Sequence, residues 1–305
     1  MKWKVPEPLA ICEAVMDDGT AILLRRYGNP DGMRIVLSHA NGLAVDCYYP
    51  FWSLLTERFD LVVFDFRNHG WNAVGRLESH TIQTFVSDIS QVADHIKHFF
   101  GPKQIFGVFH SMSAQTAMLE ACSGTSSFDG LVLFDPFICP RGCDPDHKNR
   151  LMKTMRSLVE AARRRRSTFE SLESFAERML KAPAFDLLRP GVVNLIAQTT
   201  TRPAGDGSTF VLRCPPEYEA RIGEQGCRFA SSVDVEALSC PVKVIGSDPV
   251  MLHSYMPTVD LGEILALDYD FVPDTTHFLQ LEQPEACISA MLKLKGNDGK
   301  LALAA

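Results

Sequence analysis

VFHSMSA, residues 108–114, puts a serine at the end of an apolar run and follows it with small residues. The reading of Ser111 decides the fold. Either the serine stands on a tight strand-to-helix turn as a nucleophile, or it caps an ordinary helix. The usual signature of such a turn is G-x-S-x-G, and Phe109 and Ser113 occupy its two glycine positions. The turn strains the serine backbone, so its neighbours have to be small. Ser113 and Ala114 comply, and Phe109 does not. The stretch alone leaves both readings open, and the rest of the chain has to supply partners.

Outward from Ser111, apolar runs recur: MRIVLSH (33–39) before Ala-Asn-Gly, LVVFDFR (61–67) before Asn-His-Gly, QIFGVFHS (104–111), LVLFDPF (131–137), PVKVIGS (241–247) and EILALDYDFV (263–272). Near-continuous runs of this kind fit strands buried on both faces of a parallel sheet. Two more strands are predicted in residues 11–26 around Asp17-Asp18-Gly19, a hairpin signal. Helical patterns lie between the runs, at 48–59, at 81–100 and from Ser111 to Cys122. In 81–100, Ile82, Phe85, Ile89, Val92 and Ile96 fall at helical spacing. Strand and helix alternate, so the fold class is α/β: a mostly parallel sheet flanked by helices on both faces.

One connection is abnormally long. From Ile138 to Ser239, 102 residues separate two consecutive strands, where a crossover needs only about a dozen. The excess reads as helical. Leu151, Met155, Leu158 and Ala162 share one face, and a second helix is predicted after Ser171 and before Pro183. This implies a mainly helical cap inserted after the strand ending near Asp135, over the strand ends where open α/β sheets bind ligands. The expected division is a core of 1–137 and 236–305 with a cap of 138–235.

Composition narrows the functional classes. With 46% hydrophobic and 22% charged residues, the chain is ordinary for a globular protein. A net charge of −7 argues against wholesale nucleic-acid binding. No apolar run approaches the ~18 residues of a membrane span, and MKWKVPEPLAICEAV lacks a signal-peptide core. The expectation is a cytoplasmic monomer or homodimer acting on a small molecule, with no nucleic-acid or membrane partner. Nine scattered cysteines form no C-x-x-C pair, and Cys139-Pro-Arg-Gly-Cys143 has one residue too many. No Walker loop, dinucleotide fingerprint or metal-ligand spacing is present, so no cofactor and no metal are expected. Arg163 to Arg166 cover all sides of a helix and read first as a solvated run. Their sharper reading is a phosphate contact for a coenzyme A thioester.

A serine hydroxyl is a poor nucleophile without a base. VPDTTHFLQLEQP (272–284) supplies His277, after the last strand and before a helix that Pro284 opens. The order of His39-Ala-Asn-Gly42, Asp65-Phe-Arg-Asn-His-Gly70, the serine turn and the His277 loop resembles the α/β-hydrolase superfamily. The likeness covers both flanks of the insert. ARRRR (162–166) and LRCPPEYEA (212–220) are similar to a branch containing bacterial hydrolases and fungal secondary-metabolite acyl hydrolases.

The resemblance implies Ser111 as nucleophile, His277 as base and a carboxylate that orients His277. Asp135, 24 residues after Ser111, stands where that branch puts its acid. Asp248, in Gly246-Ser-Asp-Pro249, stands where most of the superfamily puts it, and Asp135 is preferred. Backbone N–H groups of Met112 and Asn41 are the expected oxyanion donors. Gly42, Leu43 and His110 are placed against the substrate, and His39 and His69 read as loop organisers. The expected activity is hydrolysis of a carboxylic ester with a small to medium, largely apolar acyl group, through an acyl-enzyme. The alternatives are an acyl-CoA thioesterase with the same triad and a non-catalytic ligand-binding protein of the same fold, which Phe109 would favour.

Overall fold

The computed structural model describes residues 3–139, 145–205, 207–251, 267–296 and 302–303. Cys143 and residues 263–266 of the last apolar run lie outside them. Every apolar run carries a strand. In chain order the elements are β1 (Ala10–Val15), β2 (Ala21–Gly28), β3 (Arg34–Leu37), α1 (Tyr49–Trp52), β4 (Asp60–Phe64), α2 (Ile82–Phe100), β5 (Ile105–His110), α3 (Met112–Ala121) and β6 (Gly130–Phe134). Then follow α4 (Pro145–Arg163), β7 (Thr168–Phe169), α5 (Leu172–Met179), α6 (Val192–Thr200), β8 (Thr201–Pro203), β9 (Phe210–Leu212), α7 (Pro216–Phe229), β10 (Val242–Gly246) and β11 (Asp268–Phe271).

The main sheet has the order β1-β2-β4-β3-β5-β6-β10-β11. The β1/β2 and β2/β4 pairs are antiparallel and the remaining pairs are parallel. The runs are continuous because both faces are covered. Ile35, Leu37, Leu61, Val63, Phe106 and Val108 enter one layer, with Phe51, Trp52 and Met291. Val36, Val62, Phe64, Ile105 and Phe109 enter the other, with the α2 residues Ile82, Phe85, Ile89, Val92 and Ile96. Alternate side chains point to opposite faces, as the period of two requires. Gly19, at φ +81°, turns the first hairpin, and its N–H donates to Met16 O at 2.8 Å.

One local expectation needs correction. The helical pattern of 48–59 is broken into a 3₁₀ turn, the four-residue α1 and a second 3₁₀ turn. Pro50 has no N–H to continue a helix from the preceding turn, and it sits inside the first turn of α1. In α4, Met155, Leu158 and Ala162 share one face, as their spacing predicts, and with the buried Val159 they line a cavity; Leu158 is 40% exposed. The side chain of Leu151 lies outside the described residues.

The segment between β6 and β10 holds α4 to α7 and a small antiparallel sheet of order β7-β9-β8. The predicted second helix is α5. Ser171 caps it, and the Ser174 side chain closes a capping box. α4 packs against α7. α7 in turn docks on loops of the main sheet: Gln225 accepts from Ile82 N–H at 2.8 Å, and Tyr218 donates to Gly75 O at 2.7 Å. The segment therefore lies beside the ends of β3, β4 and β5, where the site residues gather.

Candidate active site

β5 delivers Ser111 to the N-terminus of α3 at φ +56°, ψ −114°. This conformation is rare for a residue with a side chain, and it is held from both sides. Ser111 N–H donates to Phe134 O at 2.9 Å, and Gln115 N–H donates to Ser111 O at 2.9 Å. The two missing glycines have a physical answer. Phe109 is fully buried, with its ring against Phe64 and Phe128. Its ring occupies the space beside Gly107, where a Cβ would lie 2.3 Å from Phe109 Cε2. The glycine has moved two residues upstream on the same strand face. Ser113 fits because its hydroxyl stitches the turn, donating to His110 O and accepting from His110 N–H, both at 2.9 Å.

Three loops converge on this turn. His277 Nε2 lies 2.8 Å from Ser111 Oγ, and His277 Nδ1 lies 2.7 Å from Asp135 Oδ2. With Nδ1–H donating to the carboxylate, Nε2 presents its lone pair to the serine hydroxyl. Asp135, at φ +44°, follows β6, and its N–H donates to Ile245 O at 2.9 Å. Ser247 N–H donates to Asp135 Oδ1 at 3.1 Å and the Ser247 hydroxyl to Oδ2 at 3.2 Å, fixing the carboxylate plane.

Asp248 is elsewhere. It accepts from Val250 N–H at 3.0 Å and Asp274 N–H at 2.8 Å, and its own N–H donates to Thr275 O at 3.1 Å. It braces the loop that carries His277. Glu282 braces the same loop from behind, accepting Thr276 N–H at 2.7 Å together with the Thr276 hydroxyl. Burial pushes the Glu282 carboxyl above its ordinary range.

The loop after β3 brings the other expected residues. Leu43 N–H donates to Ala40 O at 3.1 Å and Gly42 N–H to His69 Nε2 at 3.2 Å. Asn41 N–H has no acceptor among the described residues. Met112 is the first residue of α3, where N–H groups have no intrahelical acceptor. His39 Nε2 accepts from Phe66 N–H at 3.1 Å, and Asp65 Oδ1 accepts from Val45 N–H at 2.8 Å. His39, His69 and Asp65 thus tie the loops after β3 and β4 together.

His110 is not at the substrate space. It is buried, with Nδ1 2.6 Å from Tyr48 Oη and Nε2 2.7 Å from His277 O. Burial first, then the neighbouring His277, holds it well below the usual imidazole range.

A cavity of about 530 Å³ opens beside Ser111 and His277. Asn41, Gly42 and Leu43 line it, and Met112 does not. Its remaining wall comes mostly from the inserted segment. That wall is apolar except for Arg165, Arg178 and Glu219. Glu219, on α7, touches the loop after β3 directly. Its carbonyl accepts from Asn41 Nδ2 at 2.7 Å, and a Cβ on Gly42 would lie 2.7 Å from its carboxylate carbon. Gly42 sits at φ +73°, a conformation that favours glycine, and a Cβ there would have to displace the Glu219 carboxylate.

Sequence reasoning missed Ser247, Glu219 and Arg178. Ser247 neighbours the weighed Asp248, and Glu219 lies inside the quoted LRCPPEYEA stretch. Arg178 carried no signal.

The arginine run is engaged in ion pairs. Arg163 reaches Glu160, Glu217 and Glu224 at 2.7, 3.2 and 2.6 Å, and Arg165 reaches Glu219 at 2.8 Å. The run ties α4 to α7. A donor set that spacing could not reveal also forms: a ring nitrogen each of His69 and His80 and the Cys214 sulfur lie within 4.8 Å of one another. Its lone pairs are committed. His69 Nδ1 lies 3.0 Å from Arg67 O and its Nε2 accepts from Gly42 N–H, while Asn68 Nδ2 donates to His80 Nδ1 at 2.8 Å. That last bond places the His80 proton on Nε2 and leaves no lone pair for a cation. Burial pushes the Cys214 thiol well above its ordinary range.

Comparison with known proteins agrees with this architecture. The curated relative "Putative carbamate hydrolase RutD" of Caulobacter sp. (strain K31) is 25% identical over 269 residues, 87% of this chain and 92% of that protein. Among solved structures, E-2-(acetamidomethylene)succinate hydrolase superposes with a TM-score of 0.72 at 17% identity, covering 93% of this chain and 99% of that one. The thioesterase domain from the curacin biosynthetic pathway gives a TM-score of 0.66 at 18% identity, covering 92% and 98%. The model of the alpha/beta hydrolase family matches residues 35–290, and the chain belongs to that family.

Proposed function

We propose that the protein is a serine hydrolase that cleaves a carboxylic ester with a largely apolar, small to medium acyl group. The observation that supports this most is the unbroken line Ser111 Oγ–His277 Nε2 and His277 Nδ1–Asp135 Oδ2, at 2.8 and 2.7 Å, opening onto an apolar cavity. In this reading Ser111 Oγ attacks the ester carbonyl and passes its proton to His277 Nε2. Asp135 holds the ring and stabilises the imidazolium. The N–H groups of Met112 and Asn41 receive the oxyanion. His277 then gives the proton to the departing alkoxide oxygen, which leaves as the alcohol, and an acyl ester remains on Ser111. A water loses a proton to His277 as it attacks that ester, the tetrahedral species collapses, and the acid leaves with the proton restored to Ser111.

Residues 138–235 act as a cap on a core of 1–137 and 236–305, and the cap supplies most of the acyl wall. The accommodation of Phe109 by Gly107 removes the feature that favoured a non-catalytic protein. Engagement of Arg163 and Arg165 with glutamates weighs against a coenzyme A thioester held by these two arginines. A panel of 4-nitrophenyl esters of graded acyl length tests the reading beside coenzyme A thioesters. The expected result is ester turnover that Ser111→Ala abolishes. Turnover that survives Ser111→Ala, or faster cleavage of matched thioesters, contradicts it.

A further inference from the structure

The cavity wall is apolar through Phe137, Val159, Phe175, Met179, Phe185 and Phe278, yet among the described residues it carries Arg165, Arg178 and Glu219. Two of them cancel, because Arg165 Nη1 donates to Glu219 Oε2 at 2.8 Å. The third, Arg178, stands on α5 between the wall residues Phe175 and Met179 and is exposed. Among the described residues it makes no ion pair, although Glu173 and Glu177 lie on its own helix. Arg163, in contrast, engages three glutamates. Of the charged residues on the cavity wall, Arg178 is thus the one with no carboxylate partner among the described residues.

An apolar cavity gains nothing for a neutral acyl chain from such a group. A carboxylate is the ligand that a guanidinium fork matches best in charge and geometry. The chain as a whole carries a net charge of −7, which disfavours anions at long range. A preference for an anion must come from this local cation. From these observations we infer that the preferred acyl group is apolar along its length and ends in a carboxylate bound by Arg178, so that the substrate is a monoester of a medium-chain dicarboxylic acid. The volume of about 530 Å³ suits a chain of that size beside Ser111. The inference rests on the ester-hydrolase reading of the same site, and it names that site's substrate class.

The test has two arms. In the first, 4-nitrophenyl monoesters of adipic, pimelic and suberic acids are compared with 4-nitrophenyl esters of the monocarboxylic acids of equal chain length. The readout is the ratio of kcat/KM within each pair. The wild type is expected to favour the anionic member by roughly ten-fold through KM, the size of one partly exposed charge-assisted contact. Arg178→Gln is expected to erase the ratio, and Arg178→Lys to keep part of it. In the second arm, calorimetry on the Ser111→Ala chain compares the monoanilide of pimelic acid with heptananilide. Binding of the anionic probe is expected to be tighter and to lose that margin in Ser111→Ala/Arg178→Gln. Equal ratios, equal binding, or a margin that survives Arg178→Gln overturns the inference. Absence of any ester turnover while the binding margin stands rejects the hydrolase reading and leaves the anion site intact.

Discussion

Phe109 and Gly107 show how one residue can carry a motif's constraint for another. The signature asks for a small residue two positions before the nucleophile. Here that position holds a phenylalanine whose ring lies where a Gly107 Cβ would be. Gly107→Ala is therefore expected to destabilise by ~1–3 kcal/mol through overpacking. Phe109→Leu should recover part of that loss in the double variant, a coupling that denaturant melts of the four chains read out. Additive losses would show that the two sites do not share the space. At the same scale the acid is separable. Asp135→Asn should cost roughly 10⁴-fold in kcat, because the ring loses its orienting acceptor. Asp248→Asn keeps His277 on Asp135 and should cost far less, as steady-state ester kinetics will show. Ser111 and both aspartates were legible because each stands at the end of an apolar run, and His277 because it lies in the loop after the last one. Ser247 was not, since its role depends on β10 lying beside β6, which no local pattern states.

At the scale of elements, α7 and the loop after β3 form one unit. Asn41 Nδ2 bonds the Glu219 carbonyl, and Gly42 leaves no room for a Cβ beneath the Glu219 carboxylate. Gly42→Ala strains a backbone at φ +73° in the loop that holds the Asn41 N–H and displaces the Glu219 carboxylate above it. Its expected signature is a fall in kcat larger than any rise in KM, with a lowered Tm. A change in KM alone would mean that the loop holds substrate but no oxyanion. The strands were legible as elements because their runs are continuous, and α2 because its five apolar positions repeat at helical spacing. Met155, Leu158 and Ala162 obey the helical period, but that they line a cavity was not legible, because a helix lining a cavity and a helix sealing a core share one hydrophobic period.

The whole molecule carries a pH dependence that the site does not set. Burial holds His39, His69 and His110 below the ordinary imidazole value of 6.5 and His80 at about 3. The unfolded chain takes up protons on these rings as pH falls through 6.5, and the folded chain does not. Their stabilisation is complete above that value and is lost on acidification, for His80 across the window from 6.5 down to about 3. Each ring contributes a slope of up to ~1.4 kcal/mol per pH unit. Asp88 and Glu282, raised by burial, act with the opposite sign and offset part of it. The Tm is expected to fall from about pH 7.5 to about pH 5.5, and His80→Gln should make that slope shallower. A flat or rising Tm would contradict the assignment of neutral buried rings. Among the described residues no helix is long and apolar enough to cross a membrane. The alternation of strand and helix made the fold class legible from the sequence, and the motifs at His39–Gly42, Asp65–Gly70, Ser111 and His277 carried the resemblance to the family. The cavity wall was not legible, because its residues come from several separate elements between β6 and β10.

One nucleophile, activated by one imidazole, is the claim on which the functional account stands. Incubation with a fluorophosphonate followed by peptide mass spectrometry measures it directly. The account expects a single adduct on Ser111, absent in Ser111→Ala and formed far more slowly in His277→Gln. An adduct on another residue, no adduct at all, or a labelling rate indifferent to His277 would contradict it.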